Sequence, residues 1–308
     1  MGHHNPEHMK TDLHKIRELG CDDVFLAAQE NDFVYMRGKV DFFPKIAKDN
    51  GIMPIAIFWG LLNYFGGGKS SQFLLDNPKA HQQNKDGSYS PGGCYNNSDG
   101  IAYIKSLIDR ISEKGFGGYF IDEPSIIHCY CDHCRELYEA MHGGDLLKAD
   151  KEKEHFFRKK CIVRYVCLLS DYIKTTHPEL KTMCCIMPRD QESWRDIACI
   201  DSLDDLGTDI YWVNDDTDVE QMRPMIRTMS GLTKKYNKSH HQWIQAWGVK
   251  TGREQRIIDQ GKILIDENPD AIYAWAYLGQ LGTSETCEDP QKSWQAICRI
   301  FEYANRLK

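Results

Sequence analysis

Apolar and polar positions follow one another along this chain in two rhythms: short unbroken apolar runs, and longer stretches with an apolar residue at every third or fourth position. The first marks buried strands and the second amphipathic helices. Leu13, Ile16 and Leu19 recur at helical spacing before Gly20, and DVFLAAQEN then reads as a buried strand. Helical residues around Phe42 to Lys48 are broken at Gly51, and IMPIAIFWG is the next strand, ending at Trp59. Ile104, Leu107, Ile108 and Ile111 line one side of a helix over 101–113 that leads straight into GGYFIDEP. Helices over 156–175, 219–236 and 254–267 precede the runs TMCCIMP, HQWIQAWG and AIYAWAYLG, while TDIYWVNDD follows the stretch 197–206. A helix over 294–307 closes the chain.

This pattern predicts seven strands, near 24–28, 53–58, 118–122, 182–187, 209–213, 242–247 and 271–277, each alternating with helix. Such alternation implies a parallel sheet. The expected fold is α/β, a single (β/α)8 TIM barrel over 1–308 with insertions at about 60–100 and 124–155. Seven strands leave the first one missing, so a first strand is expected to be very short or to lie upstream of Met1, which makes GGYFIDEP the fourth. A doubly wound open sheet is the competing architecture. It normally shows a Gly-rich phosphate turn after its first strand, and none is present.

Composition narrows the chemistry. Hydrophobic residues make up 41% of the 308, enough for a sizeable core, and 45 acidic against 38 basic residues give a net charge of −7. That balance argues against a nucleic-acid partner. No run of 18 apolar residues offers a membrane span, and MGHHNPEHMK has neither the apolar core nor the cleavage site of a signal peptide. The 12 cysteines are spread through apolar stretches of a chain much larger than a disulfide-stapled domain, so reduced thiols in the cytoplasm are expected.

The densest chemistry lies in GFGGYFIDEPSIIHCYCDHCREL, residues 115–137. Asp122 and Glu123 sit at the C-terminal end of a strand that Pro124 terminates, where parallel α/β sheets keep their catalytic groups. Just beyond, Cys129, Cys131 and Cys134 are spaced for soft-metal ligation, since Cys129 and Cys131 stand too close to bridge as a disulfide. A tetrahedral zinc needs a fourth ligand. Cys94 in the long polar insertion is the natural one, with His133 competing.

Other strand ends supply further candidates. Gln29, Glu30 and Asn31 follow the second barrel strand, Asp190 beside Arg189 the fifth, and Asp215 and Asp216 the sixth. Trp59, Trp212, Trp247 and Trp275, with Tyr211 and Tyr277, fall at the same expected rim, and aromatic rings stack on the apolar faces of sugars. Gln245 ends the seventh strand. His3, His4 and His8 are read as residues of the first loop, His240 and His241 as preceding the seventh strand at the wrong end for catalysis, and Cys184 and Cys185 as small core residues. Adjacent strand residues point to opposite faces, so Asp122 and Glu123 can act on one substrate only if the chain turns sharply between them.

The CYCDHC of 129–134 together with the CYNNS of 94–98 resembles the cysteine cluster of the glycoside hydrolase family 42 β-galactosidases, which follows the fourth strand and takes a further cysteine from an upstream polar loop. The resemblance covers roughly Asp86 to Leu137 and the barrel rhythm. It implies a glycosidase whose general acid/base is Glu123, with Asp122 where the family has an asparagine, and one structural zinc on Cys94, Cys129, Cys131 and Cys134 without an organic cofactor. The family's nucleophile is a glutamate after the seventh strand, and this chain has Gln245-Ala246-Trp247-Gly248 there. Several barrel α-glycosidase families pair an aspartate after strand four with one after strand six, which would join Asp122 to Asp215 or Asp216.

The leading expectation is therefore a glycoside hydrolase acting on carbohydrate through carboxylate acid/base chemistry. A carbohydrate-binding barrel without turnover is a second reading, motivated by Gln245. A third is a zinc-dependent hydrolase of a non-sugar substrate, with ligands from the first-loop histidines and Asp190 or Asp215.

Overall fold

The computed structural model describes residues 5–35, 37–63 and 71–307. Its main sheet consists of β1 (Asp23–Ala28), β2 (Met53–Phe58), β5 (Gly118–Asp122), β6 (Lys181–Cys185), β7 (Asp205–Thr208), β8 (Ser239–Gln245) and β9 (Ala271–Trp275). A separate antiparallel hairpin joins β3 (His81–Gln83) to β4 (Tyr89–Gly93). The seven main strands are all parallel and lie in chain order, β1-β2-β5-β6-β7-β8-β9. A doubly wound sheet would reverse its order at a switch point, and this one does not.

Helices fill the connections: α1 (Pro6–Glu18), α2 (Glu30–Val34), α3 (Arg37–Asp49), α4 (Gln72–Asp76), α5 (Ser98–Glu113), α6 (Asp132–His142), α7 (Lys151–Thr176), α8 (Gln191–Ala198), α9 (Met222–Lys235), α10 (Glu254–Glu267) and α11 (Pro290–Leu307). Several begin as their sequences dictate. Asn5 caps α1 by accepting from the Glu7 amide with Pro6 at the first helical position, and Asn97 and Asp150 cap α5 and α7 in the same way. The α5 residues Ile101, Ile104, Leu107, Ile108 and Ile111 are all buried against the sheet's outer face.

The sheet curls far enough for its first and last strands to meet through side chains. The Tyr273 hydroxyl on β9 donates to Asp23 of β1 at 3.0 Å, and its ring lies 4.7 Å from that of Phe25. Inside the curl, Ile55, Ile57, Phe120, Met183, Trp243 and Tyr273 form a core of their own. Two further cores lie between sheet and helices.

Two expectations change. The strand expected near 209–213 is β7 at Asp205–Thr208, paired with β6 through Met183 to Asp205 and with β8 through Ser239 to Asp205. Asp205 and Gly207 resemble turn residues in a sequence, but here Lys181 and His241 satisfy the Asp205 carboxylate inside the sheet. The apolar Ile210 and Val213 instead lie beyond the strand, in the core under α9 and α10. His240 and His241 lie within β8, where the rest of the strand buries them. The short first strand expected at or before Met1 falls outside the described residues. The expected insertions contain α4 and the β3–β4 hairpin on one side and α6 on the other.

Candidate functional site

Three carboxyl groups converge at the C-terminal end of the sheet. Asp122 is the last residue of β5, Glu123 follows it, and Asp209 follows β7. Glu123 and Asp209 are almost fully buried, at 6% and 2% exposure. The turn that Asp122 and Glu123 require is present: Glu123 has φ +38°, in the left-handed region that non-glycine residues adopt at a cost of about 1–3 kcal/mol. Strain of that kind needs surrounding structure to hold it. Here Pro124 follows directly, and Glu123 shares a hydrogen bond with Asp209.

Burial and mutual repulsion govern the protonation of the three. Burial raises Glu123 furthest, and the hydrogen bond and negative charge of Asp209, then the charge of Asp122, push the same way against a small opposing effect of Arg189. Asp209 is also raised by burial, but its hydrogen bonds with Glu123 and Cys185 and the field of His241 favour its charged form. Glu123 therefore holds the shared proton and Asp209 the charge. Burial, then Asp209, carries Asp122 up to about 7. Groups pushed apart in this way are the usual mark of acid/base chemistry.

Asp209 escaped the sequence reading because a strand placed at 209–213 puts it at the opposite end of the sheet. The signal that could have found it is the alternation Asp205, Gly207, Asp209, which puts all three on one face. Asp215 and Asp216 lie on the exposed loop beyond, where Asp216 pairs with Arg253 at 2.6 Å. Asp190 follows β6 in a short 3-10 turn and is 6% exposed, with Arg189 Nε 3.6 Å from its Oδ2. Burial raises its carboxyl. Glu30 serves the loop above β1: it accepts from the Ser71 hydroxyl at 2.5 Å and the Leu62 and Phe73 amides at 3.1 and 3.2 Å.

Aromatic rings ring the same end. Trp59 after β2 meets Trp275 of β9 edge-on at 5.8 Å, and Tyr211 meets Trp247 at 5.6 Å. Trp59, Tyr211 and Trp275 pack on the inner core, with Trp243 beneath Trp275 at 6.3 Å. Trp212 points the other way, against the core under α9 and α10. Gln245 is committed to the backbone, accepting from Val213 N at 3.1 Å and donating to the Trp247 carbonyl at 3.2 Å. Among the candidate histidines, His3 and His4 lie outside the described residues.

The cysteines form a second centre. The Sγ atoms of Cys94, Cys129, Cys131 and Cys134 all lie within 4.8 Å of one another, and all four residues are buried. His133 is not in this group. Cys94 to Cys134 and Cys94 to Cys131 are 3.4 and 3.6 Å apart, close to the roughly 3.8 Å edge of a tetrahedron with 2.3 Å metal–sulfur bonds. Amide donors point at the sulfurs as they do at thiolates: Gln83 N to Cys129 at 3.4 Å, Asn96 N to Cys94 at 3.3 Å and Asn96 Nδ2 to Cys134 at 3.3 Å. The cluster fits one metal ion. Buried Arg158 of α7 clamps it from outside, donating to the Cys129 carbonyl, pairing with Glu154 at 3.2 Å and lying 4.7 Å over the Tyr130 ring.

No protein-family model matches the chain, and no curated protein matches it in sequence. Solved structures do match in fold. A β-galactosidase from the haloarchaeon Halorubrum lacusprofundi superposes with a TM-score of 0.76 at 14% identity, over 99% of this chain and 57% of that one. A catalytic mutant of a GH42 β-galactosidase from G. stearothermophilus gives 0.74 at 12% identity, over 99% and 54%. An endo-1,4-β-mannanase from Rhizomucor miehei gives 0.60 at 12% identity, over 98% and 91%. The chain spans a little over half the length of the β-galactosidases it matches. In its curled parallel sheet it resembles the GH42 β-galactosidases and other TIM-barrel glycoside hydrolases, and it carries a four-cysteine cluster of the kind its sequence implied.

Proposed function

We propose that this protein is a glycoside hydrolase, a (β/α)8 barrel over residues 1–308 acting on a carbohydrate through carboxylate acid/base chemistry. The observation that carries the reading is the buried, hydrogen-bonded pair Glu123–Asp209, both raised by burial but Glu123 the further, beside Asp122 and beneath a rim of tryptophans at the C-terminal end of the sheet. Two hydrogen-bonded carboxyls stand closer than the about 5 Å that a retaining pair needs or the about 6.5–9.5 Å of an inverting one. They act as one proton-holding unit.

Glu123 gives its proton to the glycosidic oxygen as the bond from that oxygen to the anomeric carbon breaks. The Asp122 carboxylate offsets the positive charge that develops on the sugar ring, and water adds its hydroxyl to the anomeric carbon while its remaining proton returns to Glu123. Trp59 and Trp275 hold the sugar faces, with Trp247 opposite. Zinc is the ion we assign to Cys94, Cys129, Cys131 and Cys134: four thiolates fill its tetrahedron and leave no position for water, so its work is structural, pinning the segment that follows Glu123. The described cysteines form no disulfide with one another, which suits a reducing cytoplasmic setting, and no helix among the described residues is long and apolar enough to cross a membrane.

Hydrolysis of a panel of α- and β-aryl glycosides by the protein and its Glu123→Gln variant tests this. Turnover that falls by about 10²–10⁴-fold in the variant supports the reading. Equal rates would remove Glu123 from it. A carbohydrate-binding barrel without turnover is the second reading, favoured by Gln245, whose side chain offers no carboxylate at the end of β8. It predicts sugars that raise Tm with no product formed.

A further inference from the structure

Residues 123–130, between β5 and the knuckle, form neither helix nor strand, yet they must hold Glu123 at its left-handed φ of +38°. Their far end is tied down at Cys129, whose Sγ belongs to the four-cysteine cluster, and at Tyr130, whose N–H donates to the Gln83 carbonyl at 2.8 Å. Nearer to Glu123 the anchor is a different one. Ser125 N donates to the Tyr95 hydroxyl at 3.3 Å, and among the described residues this is the one backbone hydrogen bond of 124–128.

Tyr95 is itself built into the cluster. It stands between Cys94, whose Sγ is one of the four, and Asn96, whose backbone N–H donates to the Cys94 sulfur and whose side-chain amide donates to the Cys134 sulfur, both at 3.3 Å. Asn97 N closes the turn on the Cys94 carbonyl at 3.1 Å, and the Asn97 side chain caps α5. The Tyr95 ring is 1% exposed and stacks on Tyr165 of α7 at 4.4 Å between centroids. Packed on both sides, the ring presents its oxygen at one fixed place.

We propose that Tyr95 is a positioning residue that carries the grip of the four-cysteine centre to Glu123. With the sulfurs held together, the 94–97 turn is fixed, the turn fixes the Tyr95 hydroxyl, and the hydroxyl fixes Ser125, two residues beyond Glu123. The centre thereby acts on one loop at two points, through sulfur at Cys129 and Cys131 and through oxygen at Tyr95. Every link is a contact between neighbours in one packed region, so the coupling is physical rather than inferred from proximity. Loss of the hydroxyl frees the loop where it leaves β5, and the strained turn at Glu123 loses the support that keeps its carboxyl on Asp209.

The catalytic consequence rests on the glycosidase reading, so amide exchange is measured beside turnover. Tyr95→Phe keeps the stacked ring and removes the acceptor. In the metal-loaded protein its Ser125 amide is expected to exchange with deuterium about tenfold faster than in the parent, with metal still bound; unchanged exchange would overturn the proposal. Cys131→Ser is expected to speed the same amide, and adding Tyr95→Phe to it is expected to bring less than the change seen with the centre intact. Effects that simply multiply would put Tyr95 outside the path from the centre and overturn it. Should Tyr95→Phe not fold, a chelator added to the unaltered protein is expected to speed exchange at Ser125 with the far-ultraviolet circular dichroism unchanged, and a Ser125 amide indifferent to metal removal would overturn the proposal. In turnover, Tyr95→Phe is expected to lower kcat by about tenfold with KM unchanged, a split that a mere loss of stability does not produce. Equal kcat despite the faster amide would overturn the reach to Glu123. Faster exchange in a protein that cleaves no glycoside would leave the anchor standing and remove the glycosidase reading, whereas Glu123-dependent turnover with Ser125 unmoved would do the reverse.

Discussion

Glu123 and Asp209 leave the sheet from β5 and β7, with β6 between them, and share a hydrogen bond. Neither carboxyl would hold a proton near neutrality in water. Brought together in a buried site they divide the labour, one keeping the proton and the other the charge.

That division makes the site a liability for stability. Asp122 is raised to about 7 in the folded chain from an ordinary value of 3.8. A carboxyl raised on folding favours the native state only while it stays protonated, so its contribution is lost as pH climbs from the unfolded value through the folded one. Asp122→Asn should therefore raise stability by about 1–3 kcal/mol at pH 8 and by much less at pH 4, while turnover falls. Denaturant melts at the two pH values check this; an equal gain at both would rule out the electrostatic cause.

The same sign holds for Glu123. Its carboxyl is raised by burial and by Asp209, so Glu123→Gln should keep its added stability across the neutral range and lose it under acid, where both states of the parent are protonated. Thermal melts from pH 4 to 8 give the slope, which should be flatter in the variant.

Metal binding can be tested without any substrate. Cys131→Ser removes one of four buried sulfurs, and its metal content should drop from one equivalent per chain to near zero, with Tm lower by about 5–10 °C. Elemental analysis of both proteins decides it. Full metal content in the variant would mean that another group, such as Cys161 beside Asn96, completes the set.

Arg158 ties the cluster to α7. Arg158→Met retains the apolar bulk but leaves the buried Cys129 carbonyl without its side-chain donor, while Glu154 keeps the Tyr130 hydroxyl, and should cost about 1–3 kcal/mol. Metal should still bind, yet exchange faster with a chelator than in the parent.

At the rim, Trp59→Ala removes one ring of the Trp59–Trp275 pair. Sugar affinity should weaken by about tenfold, the worth of about 1.4 kcal/mol, with the Glu123-dependent step intact. Calorimetric titration of a bound sugar separates this from a loss of fold.

What was legible in the sequence was whatever depends on neighbours along the chain. Apolar spacing set the helices over 98–113 and 254–267 and the runs at 53–58 and 118–122 to within a few residues, because burial of one face is a local demand. The cysteine knuckle was legible too, since three of its sulfurs lie within six residues. What only the tertiary structure decided was partnership across strands. Asp205 is a strand residue because Lys181 and His241, distant in sequence, neutralise it there. That pairing sets the register of β7, the register puts Asp209 rather than Asp215 or Asp216 beside Glu123, and the left-handed turn at Glu123 brings its carboxyl to meet it. No local pattern encodes such contacts: they exist only once the sheet has curled and excluded water, when an unpaired charge costs more than the strain of pairing it.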